Sequence, residues 1–208
     1  MNEIAEAAAV IHKGGLVVYP TDTLYGLGAS IFNEEAIGQV YQVKHRPPSI
    51  PLPVAVGSVA DIATVAYVND TAQSLAATLL PGALTLVLPK REKIPKQVAG
   101  DSIAVRVPGH PMALQLCREA GPITATSANI HGGEAPMTVT EARQQLGNDV
   151  EWYLDGGCLP GVASTVVDVT SEDLAIIRSG TISEEQLHDI TYRRIPAGRA
   201  GRQQSTAG

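Results

Sequence analysis

Aromatic side chains are scarce, at 4% of the 208 residues. A core of this size therefore has to be assembled from Val, Ile, Leu and Ala, as in α/β proteins whose strands are buried on both faces. Cysteine is nearly absent. Cys117 and Cys158 stand far apart, which excludes a disulfide framework and a zinc site of short ligand spacing. No apolar run approaches the roughly 18 residues of a membrane span. The opening Met-Asn-Glu-Ile-Ala-Glu has neither the basic nor the apolar region of a signal peptide. Basic residues are outnumbered, 15 against 21 acids, for a net charge of −6. A global nucleic-acid footprint is thus excluded, while a local basic patch is not. Together these absences describe a reduced, cytoplasmic chain that enters no membrane.

What is present is an apolar fraction of 44%, enough for one domain with at most a short appendage. Helical spacing covers Asn2 to Lys13, which ends at Gly14-Gly15. Asn33 followed by Glu34-Glu35 starts a second helix, closed by Lys44-His45-Arg46 before Pro47-Pro48. Further helices are predicted over Ser58–Ala66, Asp70–Leu80, His110–Gly121 and Thr140–Leu146, and after the Ser183-Glu-Glu-Gln186 capping box. Strands are predicted at Leu16–Val18, from Pro51 to Val56, and at Leu84–Leu88, Ile103–Val107, Ile123–Thr126, Trp152–Leu154, Thr165–Val169 and Ala175–Ile177. Two strand pairs adjoin without an intervening helix, so the fold class is α/β with a mixed parallel and antiparallel sheet. Residues 1–192 form the domain. The stretch 193–208, with Arg193, Arg194, Arg199 and Arg202 and no acid, reads as a disordered basic tail.

Several polar residues stand where apolar ones are expected. "YPTDTLYGLG", Tyr19 to Gly28, ends a core strand in Thr-Asp-Thr, which is either a self-satisfied turn or the floor of a binding site. Alternation along Ser102–Val107 places Ser102, Ala104 and Arg106 on one strand face. Arg178 follows two isoleucines. A guanidinium on a sheet face needs a carboxylate, an anionic ligand or water. Both an ion pair and an anion site are compatible with the pattern. Thr124-Ala-Thr126-Ser127-Ala-Asn129 and Ala163-Ser164-Thr165 add hydroxyls and an amide at strand ends. His12, His110, His131 and His188 lack metal-ligand spacing and read as surface or capping residues. Phosphate-binding glycine loops, nucleophile elbows and zinc-binding helices have no counterpart in the sequence. Chemistry here would rest on holding anions together.

In order along the chain, "YPTDTLYGLG", "KHRP", "PLPV", "PGALTLVLP", "SIAVRVPGHP", "TATSAN", "STVVDV" and "IIRSG" resemble the YrdC-like family of threonylcarbamoyl-AMP synthases. The resemblance covers about Gly14 to Gly180. It implies a twisted mixed sheet with a positive concave cleft, and an activity that joins L-threonine, bicarbonate and ATP, with Mg²⁺, into L-threonylcarbamoyl-adenylate and pyrophosphate. It further implies a partner transferase that passes the group to adenosine 37 of tRNA, and allows weak tRNA or double-stranded RNA binding. By resemblance, Thr21, Arg106 and Ser164 face threonine, while Lys44, Arg46, Ser102, Thr126, Ser127, Asn129 and Arg178 surround ATP; no general base is implied. Ile50 and Ala55 depart from the family pattern, where Asn or Lys and His are common. Two other readings share the fold: an RNA-binding module, and a paralogue acting on another nucleotide substrate.

Overall fold

The computed structural model describes residues 2–171 and 173–192; the basic stretch 193–208 lies outside the described residues. In chain order the elements are α1 (Glu3–His12), β1 (Val17–Tyr19), β2 (Gly26–Gly28), α2 (Glu34–Val43), β3 (Val54–Ala55), α3 (Ile62–Val65) and α4 (Asp70–Leu79). They continue with β4 (Leu84–Pro89), β5 (Ser102–Arg106), α5 (Pro111–Ala120), β6 (Ile123–Thr124), β7 (Thr126–Ser127), α6 (Val139–Leu146), β8 (Trp152–Tyr153), β9 (Thr165–Asp168), β10 (Ala175–Arg178) and α7 (Glu184–Tyr192).

Helix starts follow the side-chain chemistry of their caps. Asn2, Asn33 and Asn69 each accept a hydrogen bond from a first-turn amide of α1, α2 and α4. His110 does the same for α5 through Nδ1, with Pro111 at the first helical position. Ser183 and Gln186 exchange hydrogen bonds at the start of α7, as a capping box requires. The helix expected over Ser58–Ala66 is shorter. Ser58 Oγ and Asp61 bond to each other, so a turn consumes the first residues and only Ile62–Val65 is helical.

Two mixed sheets replace the single sheet expected from the strand pattern. One runs β7-β2-β1-β8 and the other β10-β9-β4-β5-β3-β6. In the larger sheet β4 pairs antiparallel with β5 and β9 with β10, while β4–β9 and β3–β5 are parallel. The division falls inside the stretch read as one strand, Ile123–Thr126. β6 pairs with β3, and after Ala125, whose amide bonds to Pro53 O, β7 pairs with β2 in the other sheet. Thr124 stitches the two sheets together: its Oγ1 donates to Leu27 O and accepts from Ala29 N, and its carbonyl accepts from Tyr19 OH. The Gly-Leu-Gly strand β2 was not legible as a strand. Its glycines lie against the Tyr19 ring, where a Cβ would come within 3.0 Å, so close packing on an aromatic face dictates them.

One face of the larger sheet is core. Leu84, Leu86, Leu88, Ile103, Val105 and Val167 are all buried. The opposite face, carrying Val87, Ala104 and Val166, is only half-buried. β10 reaches that open face through a bulge. Ile176 pairs with Val167 but Arg178 pairs with Val166, the register shifting across Ile177. Ile176 therefore shares the core side with Val167 and packs against the core, while Arg178 arrives on the other side.

Candidate functional site

A cavity of about 330 Å³ is lined by residues of both sheets. The smaller sheet and the turn after β1 contribute Tyr19, Thr21, Thr23, Tyr25, Thr126 and Ser127. The larger sheet contributes Thr85, Ala104, Arg106, Ser164, Val166 and Arg178, and Arg46 enters from the segment after α2. Among the described residues the lining holds three arginines and no carboxylate.

The Thr-Asp-Thr stretch is both turn and wall. Thr21 Oγ1 donates to Leu24 O at 2.7 Å, accepts from the amides of Thr23 and Leu24, and contacts Thr23 Oγ1 at 2.9 Å. These bonds hold both hydroxyls rigidly at the cavity surface. Asp22 turns the other way, to Arg106.

The three arginines are held differently. Arg106, 6% exposed, donates from Nη2 to Asp22 Oδ1 at 2.7 Å and from Nη1 to Thr23 Oγ1 at 3.1 Å. Asp22 Oδ1 also accepts from Gly109 N. Arg46 is anchored by the carbonyls of Ile50 and Pro51. Arg178 clamps Ser164 O through Nε and Nη2 and reaches Ser164 Oγ at 3.0 Å. Partial burial disfavours charge on Arg46 and on Arg178, and for Arg178 the nearby Arg106 adds repulsion. An anion in the cavity would relieve both effects.

The Sua5/YciO/YrdC family model, which bears the description telomere recombination, matches residues 9–180. The chain belongs to this family. A threonylcarbamoyl-AMP synthase of Pyrococcus abyssi is 37% identical to it over 193 residues, covering 90% of this chain and 57% of that protein. A Methanocaldococcus jannaschii protein named putative threonylcarbamoyl-AMP synthase is 38% identical, with 85% of each chain covered. The crystal structure of P. abyssi Sua5 complexed with L-threonine matches with a TM-score of 0.87 over 90% of this chain and 56% of that one. The chain thus spans little more than half of the Pyrococcus relative and most of the Methanocaldococcus one.

Of the residues that the family resemblance singled out, Thr21, Arg46, Arg106, Thr126, Ser127, Ser164 and Arg178 line this one cavity. Lys44, Asn129 and Ser102 stand outside its lining. Lys44, 1% exposed, donates from Nζ to the carbonyls of Ser127 and Asn129. Burial, with Arg46 as a smaller contribution, pushes its pKa down to about 7. Asn129 accepts from Ser127 Oγ and donates to Ile130 O and Gly133 O. Both therefore shape the turn that presents Ser127. Ser102 shares a face with Ala104 and Arg106, but four residues of strand put it about 13 Å from Arg106. Ala55, at one of the two departures from the family pattern, is buried on β3, beside β5 and in register with Arg106. At the other, Ile50, the carbonyl orients Arg46 and accepts from Tyr41 OH.

Sequence reasoning missed Thr85 and Tyr25, and reached Asp22 and Thr23 only as part of the Thr-Asp-Thr stretch. Asp22 and Thr23 stood within the quoted stretch, but nothing in the sequence pairs them with a residue 83 or 84 positions away. Thr85 carried a legible signal: it is a hydroxyl in the middle of the apolar run Leu84–Leu88.

Proposed function

We propose that the chain is an L-threonylcarbamoyladenylate synthase that converts L-threonine, bicarbonate and ATP to threonylcarbamoyl-AMP and pyrophosphate. The observation that carries this reading is the joining of Thr21, Arg106 and Ser164 with Arg46, Thr126, Ser127 and Arg178 around one cavity, in a fold that matches a threonine-bound relative. The cavity is then the positive concavity expected of the fold. Threonine occupies the buried end, at Thr21, Arg106 and Ser164. The triphosphate lies towards Arg46, Arg178 and the Thr126-Ser127 edge, with Lys44 and Asn129 acting through the turn they hold. Ser102 marks how far the nucleotide reaches along the open sheet face.

The threonine amine and bicarbonate combine to N-carboxy-threonine and water. A carboxylate oxygen of that adduct attacks the α-phosphorus of ATP, and the bond to the β,γ-diphosphate breaks to release pyrophosphate. The arginines neutralise charge that accumulates in this step, and the cavity walls hold the short-lived adduct beside the phosphorus. Among the described residues no group of three or more His, Cys, Asp and Glu side chains is arranged to hold a metal. Mg²⁺ is therefore assigned to the ATP substrate, on its phosphates. The product would pass to a threonylcarbamoyl transferase acting on tRNA in the cytoplasm. No described helix is long and apolar enough to cross a membrane.

Pyrophosphate release with ATP, omitting threonine and bicarbonate in turn, tests the proposal. Release is expected only with both present. Equal release without threonine would point to a nucleotide hydrolase or a paralogue with another substrate.

A further inference from the structure

The buried end of the cavity holds one hydroxyl hydrogen more than the described residues have acceptors for. Thr85 Oγ1 and Ser164 Oγ lie 2.9 Å apart and are 4% and 5% exposed. Ser164 Oγ also accepts from Arg178 Nη2. The two hydroxyls carry two hydrogens. One is used between them, and among the described residues neither oxygen has a further acceptor for the other. Both side chains line the cavity, so the spare hydrogen has the cavity to point into. A hydroxyl that accepts from a guanidinium becomes a stronger donor itself, which favours the order Arg178 to Ser164 to Thr85.

We infer that Thr85 is a substrate-binding residue, the terminal donor of an Arg178–Ser164–Thr85 relay that binds an oxyanion at the buried end of the cavity. Strand alternation and pairing support its placement. Val87 pairs with Ala104 and Thr85 with Val166, so Thr85 shares the open sheet face with Ala104, Arg106 and Val166. Arg106 has a buried Nε with no partner, a second donor still to be satisfied at the same end. Thr85, Ser164 and Arg106 are each less than a tenth exposed, whereas Ser127 and Arg46 are half-buried. A small carboxylate fits the deep position and a triphosphate the shallower one. Resting on the synthase reading, this assigns the α-carboxylate of threonine to Thr85 and Arg106.

The test is direct binding of threonine and, separately, of ATP to Thr85→Val and Thr85→Ser, with thermal melts of both. Val keeps the branched shape and removes the donor; Ser keeps the donor. Thr85→Val is expected to weaken threonine about tenfold or more, with ATP unchanged and Thr85→Ser close to the parent. Unchanged threonine binding in Thr85→Val overturns the relay. Loss of ATP binding alone overturns the carboxylate assignment. Equal loss in both variants shows a packing role instead. If Thr85→Val does not fold, Thr85→Ala against Thr85→Ser decides: both lack the methyl and only Ser keeps the donor, so equal threonine binding by the two overturns the relay. Failure of the parent protein to bind threonine at all would be a failure of the synthase reading, seen before any variant is made.

Discussion

Arg106 Nη2 and Asp22 Oδ1 lie 2.7 Å apart, yet each partner keeps one buried polar atom, Nε and Oδ2, without a hydrogen bond. The sequence left both readings of Arg106 open; the structure shows the ion pair, and among the described residues leaves Nε free for the ligand proposed above.

Replacing Arg106 with Met strands the Asp22 carboxylate, which retains only the Gly109 amide. A loss of about 3 kcal/mol of stability is expected, at the low end for a broken buried pair because Asp22 is partly exposed. Thermal melts should show the drop. The Arg106→Met, Asp22→Asn double variant should recover part of it while still failing to bind threonine.

Arg178 has no carboxylate partner within salt-bridge distance among the described residues, and its donors go to Ser164. Arg178→Met should shift stability by no more than about 1 kcal/mol. ATP affinity should fall about tenfold or more through loss of a charge-assisted contact. Melts beside ATP titrations check the contrast with Arg106.

Lys44 gives a pH dependence whose sign can be worked out. Its folded pKa of about 7 lies below the ordinary 10.5, so above pH 7 the unfolded chain binds more protons than the folded one. Stability should therefore rise with pH from about 7 upward. Neutral lysine has two N–H donors, matching the carbonyls of Ser127 and Asn129. Cys117, raised to about 12 by burial, opposes the trend above its ordinary 9.0, so the clean window is about pH 6.5 to 8.5. Denaturant midpoints across that window should climb in the parent protein, and Lys44→Met should remove Lys44's contribution to the climb.

Gly180 lies against the backbone of Ala163, Ser164 and Thr165, and an added Cβ would overlap it. Gly180→Ala should cost about 1–3 kcal/mol through overpacking. It should also weaken threonine, because the displaced segment carries Ser164. A melt and a threonine titration measure both.

Much of the scaffold was legible because its signals are local. Asn33 before two acids, His110-Pro111 and the Ser183–Gln186 box announce helix starts by chemistry within four residues. The β-branched runs of β4, β5 and β9 announce strands. What escaped depends on distance or on context. Gly26–Gly28 is a strand only because Tyr19 lies against it. Ile123–Ser127 changes sheets because Pro53 takes the Ala125 amide. Asp22 and Arg106 meet across more than eighty residues. At the site, the motifs located seven lining residues, but alternation could not tell that Lys44 and Asn129 would face a turn of their own chain and not the cavity.

Ile177 is 59% exposed and is the extra residue that the bulge takes out of the ladder. Were the ladder regular past Ile176, Ile177 would lie opposite Val166 and Arg178 opposite Thr165, pointing to the core and leaving Ser164 without its clamp. The identity of residue 177 is thus nearly free, while the register shift across it is not. The charge of this cavity is encoded partly in register, and a β10 that paired without the shift would withdraw a cation from the site without a single substitution in it.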